Sequence, residues 1–216
     1  MRVAAMAVLL AGCDAAFGLD TTRLIDAPAC LPVTSSFDTF DQDTTTPCGW
    51  GYLTQTSCTA IATGGDLVMT PTAGASNAIC VCSAATPMTF TSMFGTMVQV
   101  DELPTQAGEY SQFIASSSGI SWIIEYGPAG MISFARDKTR LGSVPWDASS
   151  RWWRIRPNDA GTAVIGEASG DGITWSMIAM DPSAPPATVK SDFSTGTFQS
   201  LSAPTSSRLA SINVCP

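Results

Sequence analysis

Apolar and polar positions alternate along most of this chain in short runs, and no stretch of helical period interrupts them. The runs predict strands over residues 66–70, 78–82, 94–101, 111–116, 121–126, 131–136, 151–156, 163–168, 174–180 and 210–214. Turn residues separate them: Gly64-Gly65-Asp66, Gly127-Pro128, Asn158-Asp159-Ala160-Gly161 and Gly170-Asp171-Gly172. Residues 181–188 are Pro-rich and read as a surface loop. Many short strands at modest spacing predict an all-β, antiparallel β-sandwich.

The segment from Arg151 to Trp175 is the most informative. Successive strand side chains point to opposite faces, so Trp153 and Ile155 share one face and Trp152, Arg154 and Arg156 share the other. Ser169-Gly170-Asp171-Gly172 supplies a tight reversal, after which Trp175 is expected to re-enter the core with Met177.

The chain opens differently. Met1-Arg2 is followed by an uncharged apolar run from Val3 to Ala11 that ends in Leu10-Ala11-Gly12-Cys13. A short positive start, an apolar stretch and small residues at the end are the marks of an export leader. The final tetrad resembles the lipobox of bacterial lipoproteins, which implies that Cys13 takes a diacylglyceryl group and becomes the new N-terminus. Two acyl chains hold stably where one binds marginally, since each buried CH₂ contributes about 0.8 kcal/mol. The expected partner is a membrane reached through this lipid, and the expected location is exported, at the cell envelope. Asp14 leaves inner and outer membrane both open. A spanning helix needs about 20 apolar residues, and no stretch supplies them. Residues 1–12 are thus read as signal peptide and 13–33 as a lipidated tether, with Pro28 and Pro32 and little periodicity.

Export changes the reading of the cysteines. With Cys13 acylated, Cys30, Cys48, Cys58, Cys80, Cys82 and Cys215 remain for an oxidising compartment, and disulfides are expected among them. Cys80 and Cys82 flank one residue of a predicted strand and share a face, so a bridge between them would be strained. Each is expected to pair with Cys48 or Cys58, which leaves Cys30 for Cys215. A Cys₄ metal site is the rival, but the Cys-x-Cys and Cys-x₉-Cys spacings do not fit a zinc knuckle.

Composition removes several functions. The chain has no His, 10 Lys+Arg and 18 Asp+Glu, for a net charge of −8. Without His there is no Ser-His-Asp triad and no His-ligated zinc. Without a basic patch, nucleic acid is not an expected partner.

Ser36-Phe37-Asp38-Thr39-Phe40-Asp41, followed by Trp50, and the run Trp152-x-Arg154-Ile155-x … Gly161 … Glu167-x-Ser169-x-Asp171-Gly172-x-x-Trp175 together resemble the concanavalin A-like jelly rolls of the laminin-G and legume-lectin type. The resemblance covers residues 34–216 and implies a disulfide-stabilised jelly-roll sandwich. The polysaccharide hydrolases of that family carry Glu-x-Asp-x-x-Glu on the catalytic strand. This chain lacks it, so no catalytic residue is assigned.

Trp152, Arg154 and Arg156 are the candidate ligand-binding residues, since an aromatic flanked by guanidiniums can stack on a sugar ring and bind its oxygens. Equally, Arg stems can cover a sheet face and pair with Glu125 or Glu167. Asp38, Asp41 and Asp43 could offer hard oxygens to Ca²⁺, but they follow no EF-hand order, and no metal or other cofactor is assigned. Trp50, Trp122 and Trp146 are read as packing residues. The expected function is a lipid-anchored, non-catalytic module that binds a glycan or a surface protein; the alternatives are a glycan-cleaving hydrolase with a diverged carboxylate pair and a structural envelope protein. Mass spectrometry of the mature protein should find a chain that begins at an acylated Cys13; an intact, unacylated leader with free thiols throughout would refute this.

Overall fold

The computed structural model describes residues 38–43, 48–92, 95–127 and 129–214. The leader, the tether, Cys13, Cys30, Cys215, Phe37 and the opening of the Ser36–Asp41 motif lie outside the described residues in whole or part, as does a Cys30–Cys215 bridge.

The strands are β1 (Gly51–Thr56), β2 (Cys58–Thr63), β3 (Asp66–Pro71), β4 (Ile79–Ala84), β5 (Met88–Thr89), β6 (Thr96–Glu102), β7 (Glu109–Ser117) and β8 (Ile120–Gly127). They continue with β9 (Met131–Arg136), β10 (Thr139–Pro145), β11 (Trp152–Pro157), β12 (Val164–Ser169), β13 (Ser176–Asp181), β14 (Thr188–Thr197) and β15 (Ser207–Ile212). They form two antiparallel sheets. One runs β1-β4-β14-β7-β8-β9-β10, with β5 beside β14, and has eight strands. The other runs β13-β12-β11-β6-β15-β3-β2 and has seven. The fold is an antiparallel sandwich, as the alternation predicts, and of the jelly-roll kind that the resemblance implies.

The inner faces meet in one core. Trp153 and Ile155 on β11, Phe113 on β7, Phe134 on β9 and Phe193 on β14 are fully buried. Trp153 donates its ring N–H to the Ser150 carbonyl at 2.9 Å, which satisfies its only polar atom. Trp122 donates from the eight-stranded sheet to Asp181 of the seven-stranded one at 2.7 Å. Gly166 has no room for a side chain, since a Cβ there would lie 2.3 Å from the Phe134 ring.

Both described disulfides follow the expected pairing: Cys48 joins Cys82 and Cys58 joins Cys80, each with Cα atoms 5.6 Å apart. The second runs from β2 to β4 and so staples the two sheets.

Several expectations need correction. β1, β2, β5, β10 and β14 were not foreseen by alternation of apolar residues. On β14 the inward positions include Ser191 and Thr195, which are fully buried, so hydroxyls stand where the pattern looks for hydrocarbon. On β10 hardly any side chain is covered. The reversal after β12 is a longer loop than a primed turn, because the Asp171 carboxylate accepts from the Ile173 and Thr174 amides at 2.8 and 2.7 Å and holds those residues out of the strand. Met177 does not enter the core: a bulge at Gly166/Glu167 turns it outward, and it is 59% exposed. Replacing Cys58 and Cys80 together by Ala should lower unfolding free energy by about 3 kcal/mol, measured as a drop in denaturant midpoint; an unchanged midpoint would mean the staple is absent.

Candidate functional site

The sequence candidates sit on the outer face of the seven-stranded sheet, together, as alternation requires. Their surroundings favour pairing within the protein. Trp152 is only 8% exposed and offers no open ring face. Arg154 reaches the Glu167 carboxylate at 2.7 and 2.8 Å. Arg156 reaches the same group at 3.0 and 3.2 Å and extends to Asp159 at 3.0 Å. Glu167 is buried between them, so the buried carboxylate is compensated by both cations. Burial pushes the Arg154 guanidinium down, and Glu167 opposes that shift. The aromatic that meets this cluster is Trp175, whose ring lies 4.0 Å beneath the Arg154 guanidinium. Glu125 takes no part; it belongs to the other sheet. Trp50 and Trp122 are buried, and Trp146 packs edge-on against Trp153.

The acidic residues at the start do not converge. Asp38 accepts from the Phe40 amide at 2.8 Å, Asp41 from the Thr39 hydroxyl at 2.5 Å, and Asp43 from the Gly64 amide at 2.9 Å. No group of three or more Cys, Asp or Glu placed to hold a metal occurs among the described residues.

The outer face of the eight-stranded sheet is different. On β14 the inward positions of Val189, Ser191, Phe193 and Thr195 force Lys190, Asp192, Ser194 and Gly196 outward. On β7 the same rule sends Tyr110, Gln112 and Ile114 outward, and on β8 it sends Ile123 and Glu125 outward. The register aligns Ser194 with Gln112 and Gln112 with Glu125. Gln112 therefore bridges: its amide nitrogen donates to Glu125, and its amide oxygen accepts from Ser194 at 3.5 Å. Just past β14, Phe198 lies on the Tyr110 ring with centres 4.5 Å apart and planes 26° apart. Tyr110 is buried beneath it, and Phe198 is 61% exposed. Gly196 makes this possible, since a Cβ there would come within 2.7 Å of the Tyr110 hydroxyl oxygen. At the far corner Tyr52, aligned with Ser83, is 64% exposed.

From Lys190 to Phe198 the face runs about 26 Å along the strand. At the Lys190 end it opens into a 530 Å³ pocket whose lining includes Ser116, Ser118, Ser121 and Thr188. A second pocket, of 420 Å³, lies away from this face among Asp147, Ser149, Asp171 and Thr174. The long face thus combines flat aromatic surface, neutral donors and two carboxylates. None of Asp192, Gln112, Tyr110 and Phe198 was singled out by sequence. The signal was available: residues 189–197 alternate if buried Ser and Thr are counted as inward positions.

Burial raises the Asp192 carboxyl, against the Ser83 hydroxyl, Lys190 and the Ala84 amide, which lower it. The Tyr110 phenol is raised by burial and by the charge of Glu125.

No family model matches this chain, and no curated protein matches it. Solved structures do. A Bacillus licheniformis beta-glucanase aligns with TM-score 0.58 at 10% identity, over 82% of this chain and 95% of its own. LamA of Z. galactanivorans, in complex with laminaritriose and laminaritetraose, aligns with TM-score 0.59 at 9% identity, over 82% and 96%. A legume lectin-like domain from Entamoeba histolytica aligns with TM-score 0.54 at 13% identity, over 74% and 87%. The chain is similar to these in fold: it has the concanavalin A-like sandwich shared by lectins and glucanases.

The raised carboxyl has a measurable consequence. Folded Asp192 holds its proton more tightly than the unfolded chain, where the ordinary value is 3.8. Its contribution is therefore most favourable below 3.8 and declines as pH rises through the folded value. Asp171 runs the other way: the Thr174 and Ile173 amides lower it to about 2, so its stabilisation is present above 3.8 and lost as pH falls. Asp192→Asn should raise the unfolding midpoint at neutral pH and give no gain below 3.8; a loss of stability at neutral pH would contradict the sign.

Proposed function

We infer that this protein is an exported, lipid-anchored module of the cell envelope that binds glycan without cleaving it. The observation that carries the binding is the Phe198–Tyr110 stack aligned with Ser194, Gln112 and Glu125 on one open sheet face. An exposed ring on a rigid support offers a sugar a flat apolar surface at little entropic cost. The Gln112 amide and the Glu125 carboxylate beside it can exchange hydrogen bonds with sugar hydroxyls, while the buried Ser194 hydroxyl donates to Gln112. The fold supports the reading by analogy, since lectins and glucanases share it, one of them solved with laminarin oligosaccharides. The lipid anchor rests on the Leu10-Ala11-Gly12-Cys13 tetrad alone.

A hydrolase is the second reading, favoured by one observation: Asp192, its carboxyl raised by burial, shares this face with Glu125. An acid whose hold on its proton is strengthened and a second carboxylate are the parts that glycosidases use.

A glycan array followed by calorimetry separates these readings. The protein should bind an extended neutral oligosaccharide, and Phe198→Ala should weaken it about tenfold, near 1.4 kcal/mol. Absence of binding across the array, or undiminished binding by the variant, would remove the glycan reading. Release of reducing ends that stops in Glu125→Gln would replace binding by hydrolysis.

A further inference from the structure

Cysteine and methionine sulfur is readily oxidised, and exposure governs which sulfur reacts. Most of the described sulfur in this chain is withheld. Cys48, Cys58, Cys80 and Cys82 are joined as disulfides and buried. Met69, Met88 and Met97 are buried, and Met131 is half-buried. Two methionines on β13 stand apart: Met177 is 59% exposed and Met180 is 47% exposed.

Both lie on a paired strand, and a bulge puts them on one face. Residues an odd number of positions apart on a regular strand face opposite ways. Here the register sets Met177 opposite Glu167, Ala179 opposite Gly166 and Met180 opposite Ile165, with Ile178 as the extra residue. Gly166 faces the Phe134 ring. Glu167 and Ile165 therefore turn outward, and Met177 and Met180 turn outward beside them. Ile178 packs in the core cluster, to which neither methionine belongs. β13 is also the end strand of its sheet among the described residues, so no further strand of that sheet flanks them.

We propose that Met177 and Met180 form a sacrificial oxidation site for peroxides. In each event the thioether sulfur attacks one oxygen of the peroxide and the O–O bond breaks. That oxygen stays on the sulfur as a sulfoxide, and the other leaves as water from hydrogen peroxide or as an alcohol from an organic hydroperoxide. Sulfur is oxidised and the peroxide is reduced, with no further reactant. A sulfoxide is polar and disrupts a core that contains it. At these two positions the new oxygen meets solvent, and the core loses no contact to the cluster that holds Phe134 and Ile178. The strand itself is held by its backbone ladder to β12, which the reaction does not touch. The site lies on the seven-stranded sheet, whereas Phe198 and Tyr110 lie on the other, so it does not depend on what that face binds.

Titration of the purified full chain with hydrogen peroxide, read by peptide mapping and mass spectrometry, tests this. Met177 and Met180 should gain oxygen well before Met69, Met88 and Met97, whose oxidation should speed up about tenfold or more once urea unfolds the chain. With both sulfoxides formed, the thermal midpoint should stay within about 2 °C of the native value. Met177→Leu with Met180→Leu keeps size and apolar character. At a limiting peroxide dose this variant should carry more sulfoxide at Met131 than the native chain does, because the competing sulfur is gone. Oxidation of Met177 and Met180 no faster than that of Met97 overturns the site. A midpoint that collapses when they are oxidised, or an unchanged yield at Met131 in the variant, overturns the sacrificial role.

Discussion

Trp153 of the seven-stranded sheet rests against Phe193 of the eight-stranded sheet, ring centres 6.4 Å apart. The placement of every outward side chain on β11 and β14 follows from that contact, because a strand repeats every two residues. With Trp153 turned in, Trp152 and Arg154 must turn out. With Phe193 turned in, Asp192 and Ser194 must turn out. A slip of one residue on either strand would bury a charge and expose an aromatic, so the core and the two outer faces stand or fall together.

The core is not wholly apolar, and its polar seam bears on register. Ser207 of β15 bonds Ser111 of β7 and Thr195 of β14, each at 2.7 Å, with all three fully buried. Nearby, Asn213 accepts from Thr96 of β6 at 2.7 Å and donates to Ser191 of β14 at 3.1 Å. Those to Ser111, Thr195 and Ser191 cross between sheets. A misregistered strand would leave such hydroxyls dry and unpaired, at about 1–3 kcal/mol each. Against a slip of two residues, which keeps each side chain on its face, hydrocarbon resists only through shape, whereas this seam adds a penalty for each wrong partner.

That seam also explains what could be read from the chain. Trp153 and Ile155 announce β11, since large apolar residues at a spacing of two leave few alternatives. The spacing of Cys80 and Cys82 is enough to exclude a bridge between them. β14 carries the same period in Ser191, Phe193 and Thr195, but two of these are hydroxyls, which occur as readily in loops; only their partners on β7 and β15 make them core residues. The candidate site suffers from the same difficulty. Trp152, Arg154 and Arg156 stand out because they crowd one short run. Asp192, Gln112 and Glu125 lie on three different strands, and Phe198 meets Tyr110 only through the pairing of β14 with β7. Their proximity is a property of sheet order, which no local pattern contains.

The two outer faces differ in how their charges are met. On the seven-stranded sheet the Glu167 carboxylate is taken up by two guanidiniums, and one of those lies over Trp175. Such a cluster is closed: a ligand would have to break charged bonds to enter, and a buried charge left without its partner is costly. On the eight-stranded sheet the carboxylates meet neutral donors. Glu125 takes an amide hydrogen from Gln112, and Asp192 takes bonds from the Ser83 hydroxyl and the Ala84 amide. A carboxylate bonded to neutral donors is held less strongly than one paired with a guanidinium, and those bonds are exchanged at lower cost. A carboxylate has more acceptor sites than these donors fill. The face that keeps open acceptors beside an exposed ring is the one able to receive a hydroxyl-rich ligand, and the Arg-rich face, for all its prominence in the sequence, is committed to holding β11 against β12.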